Sequence, residues 1–178
     1  MKRLEEENNR LFIDAYGLAD ELTPDVPIEQ ITLTVNPAYR YGTKVTEEEQ
    51  WTRFRQDTME ELVSYAIGCM MGRYSLDHPG LILADLRKNQ DEQLAAYEAK
   101  IGKPISEIQF KPDADAIIPV LDGEWFEDDI VARTREFLKV TFPESSVDEN
   151  LRFIEDSIGT DIRKYFCKDF YNAHLQTY

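Results

Sequence analysis

The longest helical pattern of apolar and polar positions runs over residues 46–72, TEEEQWTRFRQDTMEELVSYAIGCMMG. Trp51, Phe54, Thr58, Leu62, Tyr65, Ala66 and Cys69 recur at three- and four-residue steps, which sets them on one helical face. Thr46 and Glu49 have the spacing of a capping box, and Glu47 and Glu48 suit the positive end of the helix dipole. The second half, LVSYAIGCMM, is apolar nearly all round, which predicts burial of that end. Gly68 and Gly72 form a G-x-x-x-G pair, so another helix or strand is expected to pack closely there. Glu60, Glu61 and Arg73 bound the apolar run, which is too short to cross a bilayer.

The other elements are read from the same periodicities. Leu4, Leu11, Phe12 and Ala15 share one side of an opening helix that Gly17 closes and no residue caps. That abrupt start, and an end on LQTY without a stop signal, suggest a piece of a longer chain. Residues 28–35 alternate and predict a short strand, with a helical turn after Pro27 as the competing reading. Residues 36–44 read as a loop and residues 78–80 as a turn. Residues 81–86 read as a short extended or helical piece. Asn89 caps a helix over 89–101 with Leu94, Tyr97 and Ile101 on one face, and Gly102 ends it; residues 105–110 suggest a small strand.

An acidic loop over 110–129 leads into a helix opening at Glu124 or Trp125 and ending near Val140. Phe126, Ile130, Phe137 and Leu138 form its expected buried side, with Glu127, Asp128 and Asp129 in its first turns. Pro143 stops it. Ser146 then caps a helix over 147–158, with Leu151, Ile154 and Ile158 inward and Gly159 at its close. Thr160 caps the last helix, whose face carries Ile162, Phe166 and Phe170 and continues to His174 and Tyr178. The expected fold class is mainly α, with about six helices packed around the long central helix over 46–72. At most a few short strands accompany them, in a single helical domain over 1–178.

Composition narrows the function classes. With 178 residues, 42% hydrophobic and 31% charged, the chain reads as an ordinary soluble domain. The start MKRLEEENNR is no signal peptide, so a cytoplasmic protein with no membrane partner is expected. Cys69 and Cys167, far apart, read as reduced thiols. A net charge of −15 weighs against a broad nucleic-acid-binding face, which needs Lys and Arg against phosphates. Two local candidates for phosphate contact remain: Arg40, ahead of the central helix, and Arg73, just after it. Arg73 also has a structural role open to it, bonding the last helix carbonyls or pairing with Asp77.

Motifs add no chemistry. Asn36-Pro37-Ala38-Tyr39 is near the Asn/Asp-Pro-Pro-aromatic motif of amino-methyltransferases, where the polar side chain accepts from the target amine and the aromatic ring stacks on the flipped base. The third residue here is Ala and no glycine-rich cofactor loop follows a strand, so a turn is the better account. The carboxylates from Asp113 to Asp129 do not fit a calcium loop, since Ala and Ile-Ile-Pro stand at ligand positions. No Glu-x-Lys or Asp-x-Lys follows Pro112-Asp113, as a nuclease of the PD…(D/E)xK kind requires. His78 and His174 lack cysteine neighbours at zinc spacing. No residue is therefore assigned a catalytic, cofactor-binding or metal-ligating role. A stand-alone acidic protein-interaction or DNA-mimic domain is the alternative that these residues leave open.

Four long stretches in order carry a resemblance: LEEENNRLFIDAYGLADELTPDV, ELVSYAIGCMMGRYSLDHPGL, PDADAIIPVLDGEWFEDDI and IRKYFCKDFYNAHLQTY. Together they resemble one segment of the PglX family, adenine-specific DNA methyltransferases of bacterial BREX phage-defence systems. The resemblance implies a parent enzyme that moves a methyl group from S-adenosylmethionine to adenine in DNA. It implies that the cofactor loop, the catalytic Asn-Pro-Pro-Tyr and the target-recognition region lie upstream. None of those residues transfers to a position here, and this segment is expected to be inactive and to hold no cofactor. Its implied task is to brace the recognition region against the catalytic domain or to dock other defence proteins. The chain departs from the family pattern over 85–109, where it carries a charged helix in place of a shorter glycine-bearing loop.

Overall fold

A computed structural model describes residues 1–42, 44–84 and 89–177, with side chains through Leu175. Among these residues there are eight α-helices, three 3-10 turns and no strand. The mainly α class is as expected. The helices are α1 (Lys2–Tyr16), α2 (Pro37–Tyr41), α3 (Glu47–Met70), α4 (Gln90–Ile101), α5 (Ile130–Thr141), α6 (Val147–Ile158), α7 (Ile162–Lys168) and α8 (Phe170–Thr177). The chain divides into two compact units, residues 1–55 and 56–178, and α3 begins in the first and continues in the second.

The second unit holds the apolar core. Val63, Ala66, Cys69 and Met70 of α3 join Phe110, Ile130, Phe137, Leu138, Leu151, Ile154, Ile162, Tyr165 and Phe166 in one buried cluster. Helix α5 packs on α6 and α7, and α7 on α8. Phe137 meets Phe110 edge-on at 5.5 Å and Tyr65 at 6.2 Å, and the Arg133 guanidinium lies over the Phe110 ring at 4.7 Å. Each fully buried large side chain contributes about 1.5–3 kcal/mol, and each aromatic pair about 0.5–1.5 kcal/mol more.

Helix α3 ends in a Schellman motif: the Arg73 amide donates to Gly68 O at 2.8 Å and the Gly72 amide to Cys69 O at 3.1 Å. Gly72 takes φ 71°, which a side chain would strain. The close approach expected along the Gly68/Gly72 pair is real: at Gly72 a Cβ would meet Leu83 at 3.1 Å, Pro112 at 3.6 Å and Tyr97 of α4 at 3.7 Å, while at Gly68 the partner is Tyr74, six residues on, rather than another helix or strand. A Cβ at Gly68 would lie 2.4 Å from Tyr74 Cδ2, and the Tyr74 ring stacks on Tyr65 at 5.4 Å.

Several local expectations change. Residues 28–35 and 105–110 form no strand; each contributes a 3-10 turn after proline, Ile28–Gln30 and Ile105–Glu107. Pro27 and Pro104 set the φ that starts a turn, and among the described residues no neighbouring strand supplies the ladder that alternation needs. Residues 37–41 of the expected loop are helical because Asn36 caps them and Pro37 sits in the first turn. Helix α5 opens at Ile130 rather than at Glu124 or Trp125, since Asp129 binds the Val131 and Ala132 amides. Phe126 is correspondingly exposed, and Glu127 and Asp128 precede the helix. Ser146 stands at the N-cap of α6 but donates to Pro143 O instead of capping. The cap of α7 is Asp161, not Thr160. The last pattern is two helices, broken at Asp169. Residues 81–84 carry no regular structure; the rest of the expected piece over 81–86, the start of the 85–109 departure and the position Tyr178 lie outside the described residues. The helix within that departure, α4, has the full capping box of Asn89 and Glu92 and ends at Gly102.

The first unit is built differently. Its contacts are largely hydrogen bonds to loop carbonyls and amides. Lys2 Nζ donates to Val26 O at 2.6 Å, and Asn9 Nδ2 to Pro24 O at 3.3 Å. Glu6 accepts from the Val26 amide, and Glu5 from the amide and hydroxyl of Thr32. No residue of α1 is buried.

Candidate functional site

The Asn36-Pro37-Ala38-Tyr39 tetrapeptide is a structural corner. Asn36 is buried, and its carboxamide is committed: Oδ1 accepts from the Ala38 amide at 3.1 Å, while Nδ2 donates to Glu29 O and, at 2.9 Å, to Ile31 O. A side chain so engaged ties the 3-10 turn Ile28–Gln30 to the start of α2. Its acceptor oxygen already has a donor inside the chain.

Beside that corner lies a largely apolar groove of about 490 Å³ within the first unit. Ile28, Ile31, Leu33, Val35, Pro37 and Trp51 line it, with Glu29 and Glu47. Gln50, also on its wall, is buried and donates from Nε2 to Gly42 O at 2.7 Å. The groove can accept an apolar group; it offers no paired acid and base. The second unit has a separate concavity of about 440 Å³ lined by Leu83, Leu94, Tyr97 and Pro112 among others.

The two candidate phosphate contacts fall in different units and are described apart. Arg40 lies in the last turn of α2, half-buried, with its guanidinium 5.7 Å from the Tyr41 ring centroid. Arg73 is exposed, and its backbone amide closes α3. The carboxylate of Asp77, one of the partners suggested for Arg73, is fully buried. It accepts from Lys103 Nζ at 2.7 Å, from the Gln109 amide at 2.9 Å and from Gln109 Nε2 at 3.3 Å. Burial alone would raise the Asp77 carboxyl, but those bonds outweigh it and hold it below its ordinary value.

A second polar cluster was not visible in the sequence pattern. Asp129 Oδ1 accepts from the Val131 and Ala132 amides at 3.0 and 2.9 Å, and Oδ2 lies 2.7 Å from Arg163 Nη2. The Arg163 Nη1 also donates to Leu121 O and Gly123 O at 3.2 and 3.0 Å. Asp129 is 4% exposed and Arg163 15%. Desolvation pushes the Asp129 carboxyl up, and the Ala132 amide and Arg163 more than offset that, so it stays low. The cluster ties the acidic loop, the start of α5 and the start of α7 together. Asp129 was legible as an acidic residue near the start of α5, though it was placed in the first turns rather than at the cap; nothing near Arg163 in sequence announced its partner.

Cys69 is not an activated nucleophile. Cys69 and Cys167 are free thiols; burial pushes the Cys69 thiol up to about 11, against a lesser opposing effect of its bond with Tyr65. Among the described residues no three His, Cys, Asp or Glu side chains converge as a metal site, and no helix is long and apolar enough to cross a membrane.

Set against known proteins, the helical chain matches part of two much longer adenine-specific methyltransferases. It is 36% identical over 188 aligned positions to the adenine-specific methyltransferase BrxX of Escherichia coli O9:H4 (strain HS), across 98% of the chain and 15% of that protein. It is 34% identical over 192 positions to the adenine-specific methyltransferase PglX of Lacticaseibacillus casei (strain Zhang), across 100% of the chain and 13% of that protein. No family model matches. As a segment of about that share of the relatives' length, the chain belongs to the PglX family of methyltransferases.

Proposed function

We propose that the chain is a non-catalytic helical domain of an adenine-specific DNA methyltransferase serving phage defence. In it, the segment braces the target-recognition region against the catalytic domain. The similarity to BrxX along nearly the whole chain carries this reading. The parent enzyme uses S-adenosylmethionine and acts on adenine in DNA, with chemistry supplied by regions outside these residues. The engagement of Asn36 supports that division, because the tetrapeptide nearest to a methylase motif spends its polar groups on its own fold. Arg40 and Arg73 are the proposed phosphate contacts of the segment.

Calorimetry and methylation assays test the reading together. The full polypeptide is expected to methylate adenine with S-adenosylmethionine, and the 178-residue chain to give no heat with the cofactor. A stoichiometric micromolar signal from the chain alone, or a full polypeptide without adenine methylation, would overturn it. For the phosphate contacts, Arg40→Ala or Arg73→Ala in the full polypeptide should reduce the salt slope of DNA binding by about one each. An unchanged slope removes that arginine from the interface.

A further inference from the structure

Between Phe110 and α5 the chain runs over the second unit as a loop whose backbone is fixed from beneath. The Asp113 amide donates to Met70 O at 2.7 Å, and the Ile130 amide to Pro119 O at 3.0 Å. Arg133 Nη2 donates to Lys111 O at 2.6 Å. Arg163, paired with Asp129, gives its Nη1 to Leu121 O and Gly123 O. A buried ion pair is a costly way to stabilise a core; here it holds loop backbone in place. The apolar side chains of that loop are left outside. Trp125 is 73% exposed, Ile117 68% and Phe126 55%, and Val120 and Leu121 are exposed with them. The Trp125 indole lies against the Gly123 backbone, where a Cβ would come within 2.8 Å of Nε1. A fixed backbone with exposed aromatic side chains suits docking, because little conformational freedom remains to be lost and Trp is a strong anchor.

The charge around these side chains has one sign. Residues 112–132 include seven carboxylates and no Lys or Arg. Asp115, Asp122, Glu124, Glu127 and Asp128 are exposed. The guanidinium groups that hold the loop are committed, Arg163 to Asp129 and the loop carbonyls, Arg133 to Lys111 O and Glu136. Exposed Lys111 at the start of the loop and exposed Lys164 on α7 do not balance five exposed carboxylates.

We propose that this loop docks Trp125 into an apolar recess rimmed by Lys and Arg, on a part of the same methyltransferase polypeptide outside residues 1–178. The inference rests on the proposed function and names the surface through which the segment braces the enzyme. Charge chooses the occupant. A second copy would bring a net charge of −15 and the same acidic loop, and DNA or an anionic lipid surface would be repelled likewise. An enzyme that acts on DNA carries Lys and Arg against phosphates, and at −15 this segment leaves most of that basic surface to the rest of the polypeptide. The relatives extend far beyond the matched segment, which is 15% and 13% of their lengths.

Photo-crosslinking in the full polypeptide, without DNA, tests this. With p-benzoylphenylalanine in place of Phe126, a crosslink is expected within one polypeptide, to a segment outside residues 1–178 that carries Lys or Arg. Adding Trp125→Ala should cut its yield about tenfold, as loss of an anchoring side chain does. Asp122→Asn, Glu127→Gln and Asp128→Asn together should remove most of the fall in yield between about 50 and about 300 mM NaCl. Both sets alter exposed side chains, so the far-UV circular dichroism should match that of the unsubstituted polypeptide; a lost helical signal would overturn the surface placement. A crosslink to a second copy, to residues 1–178 or to a segment without Lys or Arg would overturn the proposal, as would no crosslink, a yield unmoved by Trp125→Ala or an unchanged salt response. Adenine methylation of the same preparation is read separately: its absence would sink the functional reading while leaving the crosslink map to decide this one.

Discussion

Residues 56–178 and residues 1–55 use the same local devices and reach different ends. The larger unit gathers thirteen buried side chains from α3, α5, α6, α7 and Phe110 into one cluster. The smaller unit buries Val26 and Pro37, with Asn36 and Gln50 as buried polar groups, and leaves Leu4, Leu11, Phe12, Ile28, Val35 and Trp51 exposed. Its capping is sound: Gly17 closes α1 and Asn36 opens α2. Caps and loop hydrogen bonds define a conformation but add only about 0.5–1.5 kcal/mol each, less than the burial of one large apolar side chain. Good helix ends therefore do not make a stable unit. Apolar area must be covered, and in residues 1–55 much of it is exposed.

The largest effect is expected at the Asp129–Arg163 pair. Arg163→Ala should cost about 3–5 kcal/mol, because it strands a buried carboxylate that also caps α5. Urea denaturation followed by circular dichroism measures it; a loss under about 1 kcal/mol would show that the cluster is dispensable to the larger unit.

Next comes Gly68→Leu, for which about 1–3 kcal/mol is expected from the clash with the Tyr74 ring. An unchanged melting temperature would mean that Tyr74 swings away freely.

Asn36→Ala should cost about 1–2 kcal/mol locally, since a helix cap is lost with the bonds to Glu29 O and Ile31 O. Amide exchange is the readout. Faster exchange over residues 28–42 with unchanged protection in α5–α7 would sharpen the contrast, and a uniform loss across both units would break it.

The smallest effects are with pH. Asp77 and Asp129 have carboxyls held below the ordinary 3.8, so their stabilisation is present above that value and is lost as pH falls through the lower folded values. Cys69 works in the opposite sense. Its thiol is raised to about 11 from 9.0, so the buried neutral form stabilises fully below about 9 and that contribution disappears as pH climbs through about 11. Melting curves of the wild type and Cys69→Ala should converge at high pH. Parallel curves from pH 8 to 11 would contradict the assignment.

Much of the fold was legible because the signals were local. Asn89 with Glu92 and Gly102 bound α4, Gly159 closes α6, and the span of α3 lies within two residues of its sequence pattern at the C-terminal end. The misreadings have a common cause. The alternation in residues 28–35 is compatible with a strand only where a neighbouring strand exists, and none does among the described residues. The helix expected to open at Glu124 or Trp125 opens at Ile130 instead, capped by Asp129, whose other oxygen pairs with Arg163, thirty-four positions away in the chain. Tyr74 covers Gly68 because the chain turns back at Gly72, which a periodicity count along the helix does not reveal. The candidate site shares this limit: Asn36-Pro37-Ala38-Tyr39 stood out as a string, but only contacts with Glu29, Ile31 and Ala38 disclose how its amide is used.

By itself the sequence determined the helical class, most helix ends and the kinship with adenine-specific methyltransferases, because propensity, capping and homology are properties of contiguous residues. The tertiary structure alone decided which apolar faces are covered. Val63, Cys69 and Met70 share one buried cluster with residues of α5–α7, whereas no residue of the equally periodic α1 is buried. Periodicity tells that a face is apolar; whether it is buried depends on what else folds against it, and that is a property of the whole chain.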